Sequence, residues 1–159
     1  MKHLAVLILA VALGAVAAGC GGGGGGSSSK ADYQKQMQAL GQELSSSFSN
    51  LGNTKPTDVK GSVALLNKLG DALDTAGDKL DEIDAPSDAA DAHQKLVDGA
   101  HQAADEFRDM AKKLEGAKLA DVPQLLSQLN PSSLPGFQKL QEAVKELQAK
   151  GYQLGELSG

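Results

Sequence analysis

Hydrophobic residues recur every three or four positions along most of the chain after residue 30, the spacing that places them on one face of an α-helix. Four such runs occur, and segments rich in glycine, proline and small polar residues separate them. The runs extend from Tyr33 to Leu51, from Val59 to Ile83, from Ala89 to Leu114 and from Phe137 to Leu154. Aromatic residues make up only 3% of the chain, which disfavours strands. The pattern therefore predicts four amphipathic helices.

Capping residues mark the expected ends of these helices. Thr57 and Ser87 each follow a proline and can accept hydrogen bonds from the free amides of a first helical turn. Asp58 and Asp88 come next and suit the positive end of a helix dipole. Gly52-Asn53 is typical of a helix end. These residues predict where the first helix ends and where the second and third helices begin.

The connections between the runs determine the expected topology. Residues 53–56 and 84–87 form short connections, which make successive helices antiparallel neighbours. Residues 116–136 contain three prolines and cannot form one continuous helix, although Asp121 can cap a short leucine-rich turn that plugs one end of the bundle. The leucines of that turn are Leu125, Leu126 and Leu129. The predicted fold is all-α, an antiparallel four-helix bundle with a Pro-containing third connection.

The first residues of the chain have a different character. A basic start at Lys2 precedes an uncharged apolar stretch from Leu4 to Ala18, and small residues lead to the only cysteine, Cys20. This order is that of a secretory signal peptide. The apolar stretch is shorter than the roughly 20 residues that a membrane-spanning helix needs. The glycines and serines that follow cannot continue a helix and favour a flexible tether.

The segment Ala17-Ala18-Gly19-Cys20 resembles the lipobox of bacterial lipoproteins. In that family the cysteine sulfur carries a diacylglyceryl group, and the signal peptide is cut just before the cysteine. The resemblance implies that residues 1–19 are a signal peptide, residues 20–29 a lipidated cysteine and its Gly/Ser tether, and residues 30–159 the bundle domain. It also implies a location on the extracytoplasmic face of the cell membrane, or on the outer membrane if the cell has one.

The charge of the chain restricts its partners. The net charge is −5, and removal of Lys2 with the signal peptide makes the remainder more acidic. Nucleic acids are excluded as partners, because binding them requires clustered lysines and arginines that displace counterions from the phosphates. With Cys20 lipidated, no thiol is left for a disulfide, a metal site or a nucleophile.

Two histidines of the expected third helix are the candidates for chemistry. His93 falls on the apolar face, where a proton-sensing or ligand group is one interpretation and a buried histidine bonded to a loop or a facing side chain is the simpler one. His101 has Asp98 three residues before it and Asp105 four after it, a set that offers an imidazole and two carboxylates to a divalent ion. The simpler interpretation places His101 on a solvated face, paired weakly with these aspartates. Because the Glu-x-x-His motif of di-iron bundles is missing, we predict no metal and no cofactor.

An acidic stripe on the expected second helix comprises Asp71, Asp74, Asp78 and Asp81. A solvated helix face explains it, and a docking strip for a basic partner or a cation-attracting surface is the alternative. Residues 83–97 also resemble, loosely, a segment of helical lipoproteins of high-GC Gram-positive bacteria that have no established activity. That resemblance transfers no functional residue.

The sequence supplies no nucleophile with a neighbouring base, so we expect no enzymatic activity. Two functions remain open. The first is an interaction or structural module at the cell envelope, which docks an envelope protein or a cell-wall component. The second is a carrier for a lipid, haem or another small apolar ligand inside the bundle. In either case we expect a monomer whose contact with the membrane is a lipid on Cys20.

Overall fold

The computed structural model of the chain describes residues 28–117 and 133–154, and these residues form an all-α bundle. The helices are α1 (Lys30–Gly52), α2 (Val59–Asp81), α3 (Ala90–Glu115) and α4 (Pro135–Ala149). The predicted fold class is confirmed. The cap expected at Asp121 and the leucine-rich turn after it lie outside the described residues. In the described part of the chain, no helix is long and apolar enough to cross a membrane.

Helices α2 and α3 form an antiparallel pair. The carbonyl of Leu80, near the end of α2, bonds to the ring of His93 in the first turn of α3. Earlier in α2, Gly70 lies against the backbone of Ala104, which comes later in α3. Contacts that run in opposite directions along the two helices define an antiparallel arrangement, as the short connection predicts.

Helix α4 packs antiparallel on the other side of α3. Gly136, in the first turn of α4, lies directly against Ala103 of α3. Near the other end of α4, Glu146 accepts a hydrogen bond from Lys95 at 2.5 Å. The Glu106 carboxylate of α3 accepts from the Gly136 amide at 3.1 Å, so a neighbouring helix supplies the anionic cap that α4 lacks in its own sequence.

Two hydrophobic clusters make up the core. The cluster near the start of α1 contains Tyr33, Leu40, Leu80, Leu96, Val97, Val144, Leu147 and Tyr152 among its buried members. The cluster near the other end contains Val63, Leu66, Leu73, Phe107 and Leu114, with Ala103, Ala104 and Ala111. Every buried member of this second cluster belongs to α2 or α3. The α2–α3 pair therefore forms the centre of the domain.

The apolar face predicted for α1 is only partly covered. Of its apolar positions between residues 33 and 51, Tyr33 and Leu40 alone are buried. The positions of intermediate exposure are Met37, Leu44, Phe48 and Leu51. Helix α1 packs mainly against α2 and the segment after α4, where Gln34 and Gln38 donate to the Gln153 carbonyl. Its attachment is concentrated in its first half.

Two of the predicted helix starts are wrong. The cap of α2 is Asp58 rather than Thr57, and the Asp58 carboxylate accepts from the amide three residues later at 2.6 Å. Ser87 does not cap α3, which begins after Ala89 without a side-chain cap. The amide of Ala89 bonds to the proline carbonyl three residues earlier, so a separate turn precedes the helix and moves its start. The predicted end of α1 at Asn53 is confirmed.

The fourth predicted helix is too long. The apolar pattern extends to Leu154, but α4 ends at Ala149. Gly151 adopts a φ of 78°, the left-handed conformation that glycine accepts without steric cost. The Tyr152 amide then bonds back to the Leu147 carbonyl at 2.9 Å, a helix-terminating geometry. As a result, Tyr152 turns back into the core instead of continuing the helix.

Candidate functional site

One end of the bundle carries a connected set of buried polar and aromatic side chains. We call it the proximal end, and it comprises the start of α1, residues 80–93 from the end of α2 to the first turn of α3, and residues 150–154 after α4. The chain enters here, because the Ser28 hydroxyl donates to the Asp84 carbonyl one residue before the α1 cap, Ser29. The segment that precedes α1 therefore joins the bundle at this end.

His93 lies at the centre of the proximal end. His93 is only 7% exposed. Both ring nitrogens form hydrogen bonds, Nε2 with the Leu80 carbonyl oxygen and Nδ1 with the Tyr33 hydroxyl, each at 2.9 Å. Burial lowers the pKa of His93, although the Leu80 carbonyl and the charge of Asp81 act in the opposite direction. The simpler sequence interpretation, a buried and bonded histidine, is what the structure contains.

Two tyrosines far apart in sequence meet beside His93. The Tyr33 ring lies edge-on to His93 and to Tyr152, with ring centroids 5.4 Å apart in both pairs. The Tyr152 hydroxyl donates to the Asp88 carboxylate at 2.6 Å. Burial, followed by the bond to Asp88 and its charge, raises the pKa of Tyr152 to about 12. Burial also raises the pKa of Tyr33, and Tyr152 adds to that rise.

Two lysines at the proximal end donate hydrogen bonds to backbone carbonyls of neighbouring segments. The Lys150 ammonium donates to the Asp88 carbonyl at 2.5 Å. The Lys30 ammonium donates to the Lys150 carbonyl at 2.8 Å and lies 4.4 Å from the centroid of the Tyr152 ring. That position is within the range of a cation–π interaction. The first residue of α1 is thereby joined to the segment that follows α4.

His101 lies two turns after His93, at the surface between α3 and α2. Its Nδ1 donates to the Asp74 carboxylate at 2.8 Å, and its Nε2 lies 3.9 Å from an oxygen of Asp78. The ring reaches across because Gly77 has no side chain: a Cβ there would meet the His101 ring at 2.7 Å. About 37% of the His101 side chain remains exposed.

Arg108 of α3 also reaches across a glycine of α2 to contact aspartates of that helix. Its guanidinium donates to Asp71 and Asp74, each at 3.0 Å, and its side chain passes over Gly70. The bonds from His101 and then from Arg108 hold the pKa of Asp74 below its ordinary range. The predicted acidic stripe is therefore partly paired with Arg108 and His101 of α3 rather than only solvated.

The structure does not bring Asp98 and Asp105 to His101. Asp98 accepts a hydrogen bond from Gln94, and Asp105 lies 3.7 Å from the Arg108 guanidinium. The prediction that His101 pairs with these two aspartates is therefore wrong. Facing residues on α2 approach the ring more closely than neighbours on its own helix. Among the residues described, no group of three potential ligands is placed to hold a metal ion.

The sequence alone did not reveal the contact of Tyr33 with His93 and Tyr152. Tyr33 lies 60 residues before His93 and about three quarters of the chain length before Tyr152. Tyr33 and His93 each fit an apolar helical pattern, whereas Tyr152 falls outside the apolar face predicted for the fourth helix. The available signal was modest: Tyr33 and Tyr152 are the only tyrosines, and each lies near one end of the predicted bundle domain. The arrangement binds helices together through buried hydrogen bonds, and its ionisable centre is the His93 imidazole.

The remaining candidate, Cys20, lies outside the described residues, as does the signal peptide that we expect before it. Comparison of the chain with protein-family models, with curated proteins and with solved structures gives no significant match. The functional argument therefore depends on the residues of this chain and on their geometry.

Proposed function

We propose that this protein is a bacterial lipoprotein that a lipid on Cys20 holds on the extracytoplasmic face of the membrane. Its helical bundle acts there as a non-catalytic interaction or structural module of the cell envelope. The observation that carries this proposal is the order of segments at the start of the chain: an apolar stretch from Leu4 to Ala18, a lipobox-like Ala17-Ala18-Gly19-Cys20, and a run of glycine and serine.

The entry point of the chain identifies the end of the bundle that the tether joins. Ser28 bonds to the α2–α3 connection, so the tether leaves from the proximal end. A flexible coil of the length of residues 21–29, which the composition of that segment favours, spans about 15 to 18 Å. Helix α3 has 26 residues and a length of about 39 Å at 1.5 Å per residue. A lipid on Cys20 therefore leaves the opposite end of the bundle free to meet a partner well away from the bilayer.

The charge of the proximal end supports attachment by the lipid rather than by the protein surface. Exposed acidic side chains outnumber the exposed lysines of this end, Lys30 and Lys150, and they include Asp81, Glu82, Asp84, Asp88 and Asp91. Anionic lipids repel such a surface and attract basic ones. Two acyl chains are sufficient for stable attachment, because each buried methylene contributes about 0.8 kcal/mol.

The hydrogen bonds of the two histidines support a non-catalytic interaction or structural module rather than an enzyme. Both ring nitrogens of His93 are engaged in the interior, and His101 is paired with Asp74. Within the described residues, every buried side-chain nitrogen and oxygen has a hydrogen-bond partner. A general base has to reach a proton of the substrate, and these groups are occupied in holding helices together.

Membrane fractionation of cells that express Cys20→Ala tests the attachment. We expect the wild-type protein in the membrane fraction and Cys20→Ala in the soluble exported fraction, or as an unprocessed precursor of lower mobility. Gly21→Ala is the matched control, because it changes the adjacent residue and keeps the sulfur. Membrane association and mobility that are the same in Cys20→Ala and wild type would contradict the proposal.

Native mass spectrometry of the protein purified from its own host tests the module against the carrier. A module predicts the mass of the acylated chain alone. A retained lipid, haem or other small molecule of defined mass would instead favour the carrier. The direct contact of Gly136 with Ala103 and of Gly70 with Ala104 brings α3 against both of its neighbours, which favours the first result.

A further inference from the structure

Helix α1 is attached to the bundle much less extensively than its neighbours. Two of its residues are buried, Tyr33 and Leu40, whereas eleven residues of α3 are buried. The core cluster that contains Leu73 and Phe107, which we call the distal cluster, has no buried member from α1, although the half-buried Phe48 of α1 packs against it. Its buried residues all come from α2 and α3, and the buried residues of α1 lie in the other cluster, where Tyr33 meets His93.

The direction of the hydrogen bonds at His93 follows from the chemistry of its partners. A carbonyl oxygen only accepts, so the Nε2 that bonds to Leu80 carries a hydrogen. In the neutral ring, Nδ1 is then an acceptor, and the Tyr33 hydroxyl is its donor. This arrangement satisfies all three groups, but only while His93 is uncharged.

Protonation of His93 disrupts the contact with α1. A proton on Nδ1 turns this nitrogen into a donor, so the Tyr33 hydroxyl has to reverse and its own hydrogen needs another acceptor. Tyr33 has no exposed surface, so bulk water does not reach the hydroxyl while α1 stays in place. The bond to Leu80 is unaffected, because Nε2 is a donor in both states of the ring. Protonation therefore breaks the hydrogen bond to α1 and keeps the hydrogen bond between α2 and α3.

The groups that face His93 do not compensate for a charge at this position. Tyr33 is neutral and comes from α1, and Tyr152 stands behind it with its hydroxyl bonded to Asp88. Asp81 of α2 attracts an imidazolium, but it is exposed to solvent, which screens the attraction. Lys30, above the Tyr152 ring, opposes this attraction. Other acidic residues of the proximal end, Glu82, Asp84, Asp88 and Asp91, are also exposed, and solvent screens their charges. The cost of burying a charge on His93 therefore outweighs the attraction of these acidic residues.

We propose that protonation of His93 releases α1 from the α2–α3–α4 unit, so that the Tyr33–His93 contact is a pH-sensitive latch. Release uncovers the rings of His93 and Tyr152 and the side of the core that α1 covers. It also lengthens the connection between the entry of the chain and the remaining three helices. The inference goes beyond membrane attachment and is independent of it, because every residue that carries it lies in the described part of the chain.

Hydrogen exchange followed by mass spectrometry on the purified full chain tests the latch. Protection of amides 30–52 and of amides 96–114 is compared at pH 7.5 and pH 5.5, after correction for the intrinsic exchange rate at each pH. One proton taken up on opening shifts the opening equilibrium by up to about tenfold per pH unit below the ordinary histidine pKa. We therefore expect protection in α1 to fall by up to about tenfold at pH 5.5 and to lie below that of α3 at both pH values, because α1 opens without unfolding of the whole bundle.

Two histidine variants assign the effect to one ring. His93→Gln does not titrate, and we expect protection of its α1 to be the same at both pH values. His101→Gln is the matched control on the same helix, and we expect it to retain the wild-type pH dependence. Persistence of the pH dependence in His93→Gln, its loss in His101→Gln, or equal protection of α1 and α3 in the wild type at both pH values would overturn the proposal.

A tyrosine variant provides a test that does not depend on the folding of His93→Gln. Tyr33→Phe removes the hydroxyl that holds α1 to His93 and keeps the ring packed. We expect lower protection of α1 already at pH 7.5, at a level that stays below that of α3. Unchanged protection of α1, or equal protection of α1 and α3 in this variant, would show that the Tyr33 hydroxyl does not hold α1 to the bundle and would overturn the proposal.

Discussion

Gly136 of α4 lies so close to Ala103 of α3 that a Cβ at position 136 would stand 2.4 Å from the Ala103 backbone nitrogen. The obstacle is backbone, so a larger residue has to push the two helices apart. We expect Gly136→Ala to lower the free energy of unfolding by about 1 to 3 kcal/mol, as overpacking of a core does. Chemical denaturation monitored by circular dichroism measures this loss.

Gly52→Ala is the matched control for this substitution. A Cβ at Gly52, the last residue of α1, meets nothing within 4 Å. Alanine also has a higher helix propensity than glycine, by up to about 1 kcal/mol, so we expect Gly52→Ala to be neutral or slightly stabilising. Equal stabilities of Gly136→Ala and Gly52→Ala would show that α3 and α4 do not approach as closely as described.

Leu73 and Phe107 are the buried centre of the distal cluster, with 5% and 7% exposure. We expect Leu73→Ala and Phe107→Ala each to lower the free energy of unfolding by about 2 to 5 kcal/mol, from lost burial and the cavity left behind. Leu65, on the same helix with intermediate exposure, is the control, and Leu65→Ala should cost about 1 kcal/mol or less. Similar losses at positions 65 and 73 would contradict the assignment of the core.

The sequence predicted helices α2 and α3 well, because each has one continuous buried face. Most apolar positions of the predicted faces from Val63 to Leu80 and from Leu96 to Leu114 are buried in the structure, and Leu69 and Met110 are of intermediate exposure. Burial of such a face stabilises a helix more than any single capping residue, so the periodic signal is strong. The starts were less predictable: the one-residue choice between Thr57 and Asp58 depends on local backbone geometry.

The contacts of the candidate site could not be predicted, because they join residues that the chain brings together only on folding. Asp98 and Asp105 are the neighbours of His101 in sequence, yet the ring turns to Asp74 of α2, since Gly77 leaves space for it. The period alone also places Tyr152 on a fourth helix, whereas the left-handed Gly151 returns it to the core.

The bond between His101 and Asp74 predicts an altered titration of the carboxyl group. The pKa of Asp74 lies below its ordinary value of 3.8 because His101 and Arg108 donate to it. A carboxyl group with a lowered pKa stabilises the fold above its unfolded pKa, and this contribution is lost as the pH falls through its folded pKa. Carbon-detected NMR titration should show a higher pKa for Asp74 in His101→Ala, and no change in His93→Gln. An ordinary Asp74 pKa in the wild type would contradict this account.

The burial of His93 predicts how global stability depends on pH. The pKa of His93 in the folded state lies below the ordinary value of 6.5, so the unfolded chain takes up a proton at higher pH than the folded one. The free energy of unfolding should therefore be constant above about pH 7.5 and fall as the pH drops below 6.5, by at most about 1.4 kcal/mol per unit. Urea denaturation between pH 7.5 and 5.5 measures the slope.

The same titration in two variants identifies the group responsible. His93→Gln should lose most of the slope between pH 6.5 and 5.5, because the buried titrating ring is gone. His101→Ala should keep the slope, since its ring is partly exposed and lies outside the proximal end. A slope of opposite sign in the wild type, or one that disappears only in His101→Ala, would contradict the role given to His93.

The lipid on Cys20 is the central claim, and the mass of the first peptide of the mature protein tests it most directly. Trypsin cleaves after Lys30, so digestion of protein extracted from membranes with detergent should release residues 20–30 as the first peptide. The account predicts that this peptide begins at Cys20 and carries the added mass of a diacylglyceryl group on the cysteine sulfur, with or without an acyl group on its amine. A first peptide that contains unmodified Cys20, or one that begins elsewhere in the chain, would contradict it.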